Sequence, residues 1–369
     1  MKYFRQLIVI ILLALLVSAC GEKKGLEIYV TTDLHGMLLP FDNTEGTATD
    51  RSLANLASLV STSGSDNIIL LDNGDILQGD PMAYYYNFVD TVRTHAIADI
   101  LNHLGYDAAT VGNHDIEAGH AVYDRVRREY NFPLLAANAV DSRTGDPYFE
   151  PYTVIKKRGM KVIVFGLITP SVPRWLPESL YRGIRFENMV ETARKWMPVM
   201  LEEEPDLIVG LFHSGMGNLD ETGDDENSSL AVAVNVPGFD VIFCGHDHRE
   251  DMKEVENTEG RKVLIMDGGS RASTLMNVTV APVKQPDGSV VNELSGKLIP
   301  MNSLPESKLF TDRYRNVSDT LLQYTSEIIG RSDATATTRD AFFGPSGFVD
   351  LIHRMQLDIS GARFRLIRA

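Results

Sequence analysis

A chain of 369 residues is too long for one ordinary domain and points to two, or to one large α/β domain with an appendage. Apolar residues make up 44% and charged residues 23%, enough to bury a large core, which excludes a disordered, collagen-like or disulfide-stapled chain. Lys and Arg number 35 against 50 Asp and Glu, and the resulting charge of −15 repels phosphate at long range and argues against binding a nucleic-acid polymer. Work on a phosphate group would need a local cationic device, for which a bound metal is the obvious choice in so acidic a chain. The two cysteines, Cys20 and Cys244, cannot make a disulfide framework.

Lys2 and Arg5 precede an apolar run from Leu7 to Val17, about half the length a bilayer-spanning helix needs. A positive start, a short apolar stretch and small residues read as an export signal. The run ends in Val17-Ser18-Ala19-Cys20, which resembles the lipobox of bacterial lipoproteins. The resemblance implies removal of residues 1–19, a lipid on Cys20 and attachment to a membrane outside the cytoplasm. Gly21 to Gly25 then reads as a short tether.

From Leu26 onward, short β-rich apolar runs alternate with helical stretches. The predicted strands are Leu26–Thr32, Asn67–Leu71, Asp107–Val111, Leu134–Ala137, Lys161–Ile168, Leu207–Phe212, Val241–Cys244 and Val263–Met266. The predicted helices lie near Leu53–Val60, Val92–Leu104, Ala121–Tyr130 and Glu191–Glu203. Continuous apolar strands separated by helices predict a layered α/β core with buried sheets. Gly-rich and acidic stretches such as Asn218–Asn227 read as surface loops. Near Pro300–Lys308 the composition turns to Pro, Ser and Asn, and Asp312–Ile329 reads as a linker helix leaving the core.

Five of these strands end in the same chemistry. They run into Asp33 and His35, into Asp75, into Asn113-His114-Asp115, into His213, and into His246 and His248. In α/β sheets ligands collect beyond the carboxyl ends of the strands, so these groups are expected on one side. Imidazole, carboxylate and carboxamide together suit borderline divalent ions such as Zn, Mn, Fe or Co. They are too many for one tetrahedral site and suit two ions about 3.5–4 Å apart, bridged by Asp75. Each motif alone has a bland reading as a cap, a turn or a satisfied core histidine; the ordered set of five does not. His95, His103, His120 and His353 lie in helical stretches or loops and are taken as structural or surface residues. A metallo-β-lactamase-like reading of His246-Asp247-His248 fails, because Asp251 falls one place too late and Asp33, Asp75 and Asn113 are left unused. Cys244 sits in an apolar strand and is expected to be an inert buried thiol.

The string Asp33-x-His35, Gly74-Asp75, Gly112-Asn113-His114-Asp115, His213 and Gly245-His246-x-His248 resembles the calcineurin-like metallophosphoesterase family. Within it, the chain is most similar to the bacterial 5′-nucleotidase and 2′,3′-cyclic-nucleotide 2′-phosphodiesterase/3′-nucleotidase branch. The resemblance implies a four-layer α/β/β/α sandwich as the catalytic domain, over residues 20–305. It implies two divalent metal ions. Asp33, His35 and His248 would hold one, Asn113, His213 and His246 the other, with Asp75 between them. It further implies hydrolysis of 5′-, 3′- or 2′,3′-cyclic nucleotides through in-line attack of a water held between the ions. His114 would act on the leaving oxygen, oriented by Glu117 or by Asp115. The substrate would be a small phosphoester and the protein a monomer. A nucleotide-sugar or generic phosphoester hydrolase, and a non-catalytic metal-binding lipoprotein fragment, are the alternatives. Residues 306–332 are expected as the linker helix. The stretch Asp340–His353 resembles the opening of the family's C-terminal domain, so 333–369 is expected to be the truncated start of that domain.

Overall fold

The computed structural model describes residues 24–218, 226–333, 335 and 337–361. Residues 1–19, Cys20 and the Arg-rich end of the chain therefore lie outside the described residues. Among those described, no helix is long and apolar enough to cross a membrane. The chain divides into a unit ending at Thr325 and a second beginning at Ser326.

Twelve strands build the two large sheets of the first unit: β1 Leu26–Thr31, β2 Ile68–Asp72, β3 Ala108–Thr110, β4 Leu134–Leu135, β5 Tyr152–Lys157, β6 Met160–Ile168, β7 Leu207–His213, β8 Val241–Cys244, β9 Glu250–Glu256, β10 Lys262–Gly268, β11 Thr274–Lys284 and β12 Val290–Pro300. They form two six-stranded sheets, ordered β12-β11-β1-β2-β3-β4 and β9-β10-β8-β7-β6-β5. In the first sheet β1, β2, β3 and β4 run parallel, and β11 and β12 add an antiparallel ribbon at one edge. In the second, β6, β7, β8 and β10 run parallel, flanked by antiparallel β5 and β9.

Side-chain alternation explains the layering. Ile28, Val30, Ile69 and Leu71 of the first sheet meet Val162, Val164, Val209 and Leu211 of the second in one apolar layer. Their neighbours point the other way. Tyr29, Ile68 and Leu70 pack under α1 Leu53–Ser63, α2 Ala96–Leu104 and α4 His120–Glu129, with the short α3 Asn113–Glu117 before α4. Ile163, Phe165, Ile208 and Phe212 pack under α5 Met189–Glu202 and α6 Ser229–Asn235. Helix, sheet, sheet and helix thus make four layers. A strand covered on both faces has no polar side, which is why these read as unbroken apolar runs. Helix α1 starts on a capping box in which Ser52 Oγ accepts the Ala54 N–H at 3.1 Å and Asn55 Oδ1 accepts the Ser52 N–H at 2.9 Å.

The observed elements differ from the predicted ones at the edges. Strands β5, β9, β11 and β12 have no counterpart in the sequence reading. The stretch read as a linker helix is two helices, α7 Lys308–Arg313 and α8 Arg315–Thr325. Phe310, Tyr314 and Leu321 from this pair are buried in the core beneath α1 and α2, so it packs onto the first unit instead of leaving it. The apolar period of the stretch was legible; which surface it covers was not. In the second unit, α9 Gly347–Ser360 starts at Ser346, and Phe342, Phe343 and Ile359 are exposed.

Candidate metal centre

Asp33 and His35 follow β1, Asp75 follows β2, Asn113 follows β3, His213 closes β7, and His246 and His248 follow β8. Because these strands are parallel within each sheet, their ends gather at the seam between the sheets. The groups fall into two clusters, each drawing on both sheets. Asp33, His35 and His248 form one; Asp75, His213 and His246 form the other, with ligand atoms in each lying within 4.8 Å of one another. Asn113 joins the second, its Oδ1 3.2 Å from His213 Nε2.

The turns that present these groups are conformationally costly. Nine non-glycine residues among those described have positive φ, and Asp33, His35, Asp75, His246 and His248 are five of them. Each such residue costs about 1–3 kcal/mol in the left-handed region, which the surrounding packing must outweigh. Two glycines make the approach possible. Gly74, at φ +85°, passes so close to the next turn that a Cβ would stand 2.6 Å from the Gly112 nitrogen. A Cβ on Gly112 would stand 2.1 Å from Asp75 Oδ1.

Outer hydrogen bonds set the imidazole tautomers. His213 Nδ1 donates to the Asn73 carbonyl at 2.7 Å, which turns its Nε2 to Asp75 Oδ2 at 3.1 Å. His35 Nδ1 donates to the Gln78 carbonyl at 3.1 Å, and its Nε2 faces His248 Nε2 at 3.0 Å. Facing ring nitrogens, together with a buried Asp75 Oδ2 whose neighbour is the His213 ring, are what cation ligands look like on the protein side. The electrostatics agree. Burial opposes a charged His213, yet Asp75 and Asp33 push its pKa up to about 10. Burial likewise opposes an ionised Asp75, yet His213, His114 and His35 hold it below the usual carboxylate range. The site favours positive charge at its centre.

His114 lies in the first turn of α3, where its N–H donates to Asp75 Oδ1 at 2.7 Å. Its Nδ1 pairs with Glu117 Oε2 at 2.5 Å, one helical turn on. Asp115, the other residue considered for orienting this ring, is occupied elsewhere. Its Oδ2 accepts the N–H groups of Asp75 at 3.0 Å and Gly112 at 2.8 Å, and its Oδ1 those of Ile76 and Leu77 at 2.9 Å each. It binds the Asp75 turn to the Gly112 turn. Asp115→Ala would leave four buried donors unpaired and is expected to lower stability by about 3 kcal/mol, measured by urea unfolding of the metal-free protein.

A family model described as calcineurin-like phosphoesterase matches residues 26–250, more than half of the chain. The chain belongs to the calcineurin-like phosphoesterase family. Phosphoesterases of this family use two divalent metal ions, and the two clusters supply matching nitrogen and oxygen donors. Among curated relatives, the chain is 30% identical over 267 residues to a 2′,3′-cyclic-nucleotide 2′-phosphodiesterase/3′-nucleotidase of Haemophilus influenzae, covering 67% of this chain and 40% of that protein. It is 30% identical over 236 residues to a 5′-nucleotidase of Vibrio cholerae, covering 63% and 42%. The chain thus spans about two fifths of the length of these relatives. Among solved structures, the calcineurin-like phosphoesterase YfkN of Bacillus subtilis superposes with a TM-score of 0.73 at 24% identity, over 83% of this chain and 100% of that one. A 5′-nucleotidase precursor of Thermus thermophilus gives 0.70 at 21%, over 92% and 68%. Both carry this phosphoesterase fold.

Three neighbours of the centre have no part in the sequence reading. Gln78, three residues after Asp75, supports His35 through its carbonyl. Glu226 Oε1 lies 2.9 Å from His246 Nε2. Trp175, itself half-exposed, lies over His246 with ring centroids 5.4 Å apart. Glu226 belongs to the acidic stretch read as a surface loop, and nothing in its composition signals a partner twenty residues on.

Proposed function

We propose that this chain hydrolyses phosphate esters of nucleotides, of the 5′-, 3′- or 2′,3′-cyclic type. The observation that carries the reading is the pair of facing ligand clusters with His114 beside them. Two divalent cations bound there would supply Lewis acidity, for charge on the phosphoryl oxygens and for the acidity of water at neutral pH. Asp33, His35 and His248 would hold one, Asn113, His213 and His246 the other, and Asp75 would serve both sets. His114 has its Nδ1 tied to Glu117, so Nε2 is the nitrogen that gives a proton to the leaving oxygen. Glu117 keeps the ring turned and stabilises it when charged. The nucleotide names of the relatives favour nucleotides over other phosphoesters.

Phosphate release from 5′-, 3′- and 2′,3′-cyclic nucleotides and from p-nitrophenyl phosphate, measured with Mn²⁺ or Zn²⁺, tests the reading. Turnover of at least one nucleotide class is expected; a protein that holds both ions and cleaves none of the panel would overturn it. We further propose export and anchoring through a lipid on Cys20, supported by the lipobox-like run. Cys20→Ser should then move the protein from the membrane to the soluble fraction of a bacterial host, and unchanged membrane association would refute this.

A further inference from the structure

Beside the metal centre lies a polar cavity of about 430 Å³ that the proposed reaction does not use. Asp267, near the end of β10, is 1% exposed and lies on its wall. Its Oδ1 accepts the Gly269 N–H at 3.3 Å, while its Oδ2 has no hydrogen-bond donor. Its side chain meets the carboxyl of Asp247, whose Oδ1 takes the Arg249 N–H at 3.0 Å; burial, with Asp247 and Asp33 close by, pushes the Asp267 pKa up to about 9, so the two acids share a proton that a cation would replace. Asp247 Oδ2 and Asn227 Oδ1 lie 2.6 and 2.2 Å from the point where a Cβ on Gly215 would stand, so both oxygens crowd one spot over that glycine. The Gly215 N–H, donating to Asn227 Oδ1 at 3.1 Å, fixes which end of the carboxamide points there.

Three oxygens thus border the cavity, two of them from a pair of carboxyls with no basic side chain among the described residues hydrogen-bonded to either, and no imidazole or thiol is among them. An oxygen-only set selects a hard cation. Magnesium demands a near-ideal octahedron and gives up water reluctantly, whereas calcium accepts six to eight oxygens in irregular arrangement, with water filling the remainder. We propose that this cavity is a third cation site, binding calcium through Asp267, Asp247 and Asn227. The ion would tie β10 to the turn that carries His246 and His248, and to the segment that carries Glu226. It would brace the second ligand cluster without sharing its donors. Arg249 and Lys253 also line the cavity, and a guanidinium turned onto the two acids is the competing occupant.

The test uses the full chain with Mn²⁺ or Zn²⁺ in place, dialysed against radioactive calcium at on the order of 10⁻⁴–10⁻³ M, the range of extracellular calcium modules. One calcium per chain is expected, with the transition-metal content unchanged and the melting temperature raised. Asp267→Asn should weaken uptake about tenfold or more, because ligand charge sets affinity. Asn227→Ala serves as a second variant should the first fail to fold. The proposal is overturned if the wild type takes up no calcium saturably while holding both transition ions. Uptake equal to wild type in both variants also overturns it, as does uptake that emerges only in Arg249→Gln.

Discussion

Asp75→Asn is expected to abolish turnover and to lower metal content below two ions per chain. Asp75 lies at the bottom of the seam, 1% exposed, with Oδ1 held by the His114 N–H and Oδ2 turned to the His213 ring of the second cluster. An amide keeps the shape and one acceptor but removes the charge that both clusters share. Losing several kcal/mol of charge stabilisation corresponds to on the order of 10³–10⁴ in rate. Elemental analysis and phosphate release on the same preparation check both halves. The variant also bears on pH. In the metal-free protein, His213 has a pKa raised to about 10 by Asp75 and Asp33 against burial. A raised histidine pKa contributes stability that is complete below the unfolded value, about 6.5, and is lost as pH rises through the folded one. Metal must displace that proton, so apparent metal affinity should climb with pH between about 7 and 10 in the wild type and climb much less in Asp75→Asn.

His114→Ala should separate chemistry from metal binding. Its ring is tied to Glu117 and its backbone to Asp75, and it belongs to neither ligand cluster. The backbone hydrogen bond survives the substitution, so metal content should stay near wild type. Turnover should fall about 10²–10⁴-fold, the usual size of a general-acid contribution. The fall should be steeper for alkoxide leaving groups, which need a proton, than for p-nitrophenolate, which leaves without one. Loss of metal in step with activity would reassign His114 to the ligand set. Glu117→Gln, which keeps a hydrogen-bond partner for Nδ1 but no charge, should lie between the two.

What the sequence made legible follows from burial. Strands β1, β2, β6, β7 and β8 are covered on both faces, so they stand out as apolar runs, and the polar residues immediately after them stand out in turn. Strand β9, Glu250–Glu256, reads Glu-Asp-Met-Lys-Glu-Val-Glu and is largely exposed, so no apolar run marks it. Strands β11 and β12 form a long ribbon whose outer half alternates exposed and half-buried residues, which resembles loop more than core. The candidate ligands were visible because metal chemistry restricts their types. Their supports were not: the Asn73 carbonyl behind His213 and the four amides on Asp115 are backbone groups, and backbone groups leave no mark in composition. The contrast between Glu117 and Asp115 shows the same limit. Both are acids in the first turns of one short helix, and only the fold separates the one that meets the His114 ring from the one that binds two loops.

The left-handed turns at Asp33, His35, Asp75, His246 and His248 have a consequence for anyone selecting hardier variants. At these positions glycine relieves the backbone, and so do changes that let the chain relax, while each removes or misplaces a donor. A library screened for heat tolerance alone, without metal or substrate in the screen, will drift toward replacing the residues that define the protein. Durability and competence pull in opposite directions at the same five codons, and a screen has to reward both at once.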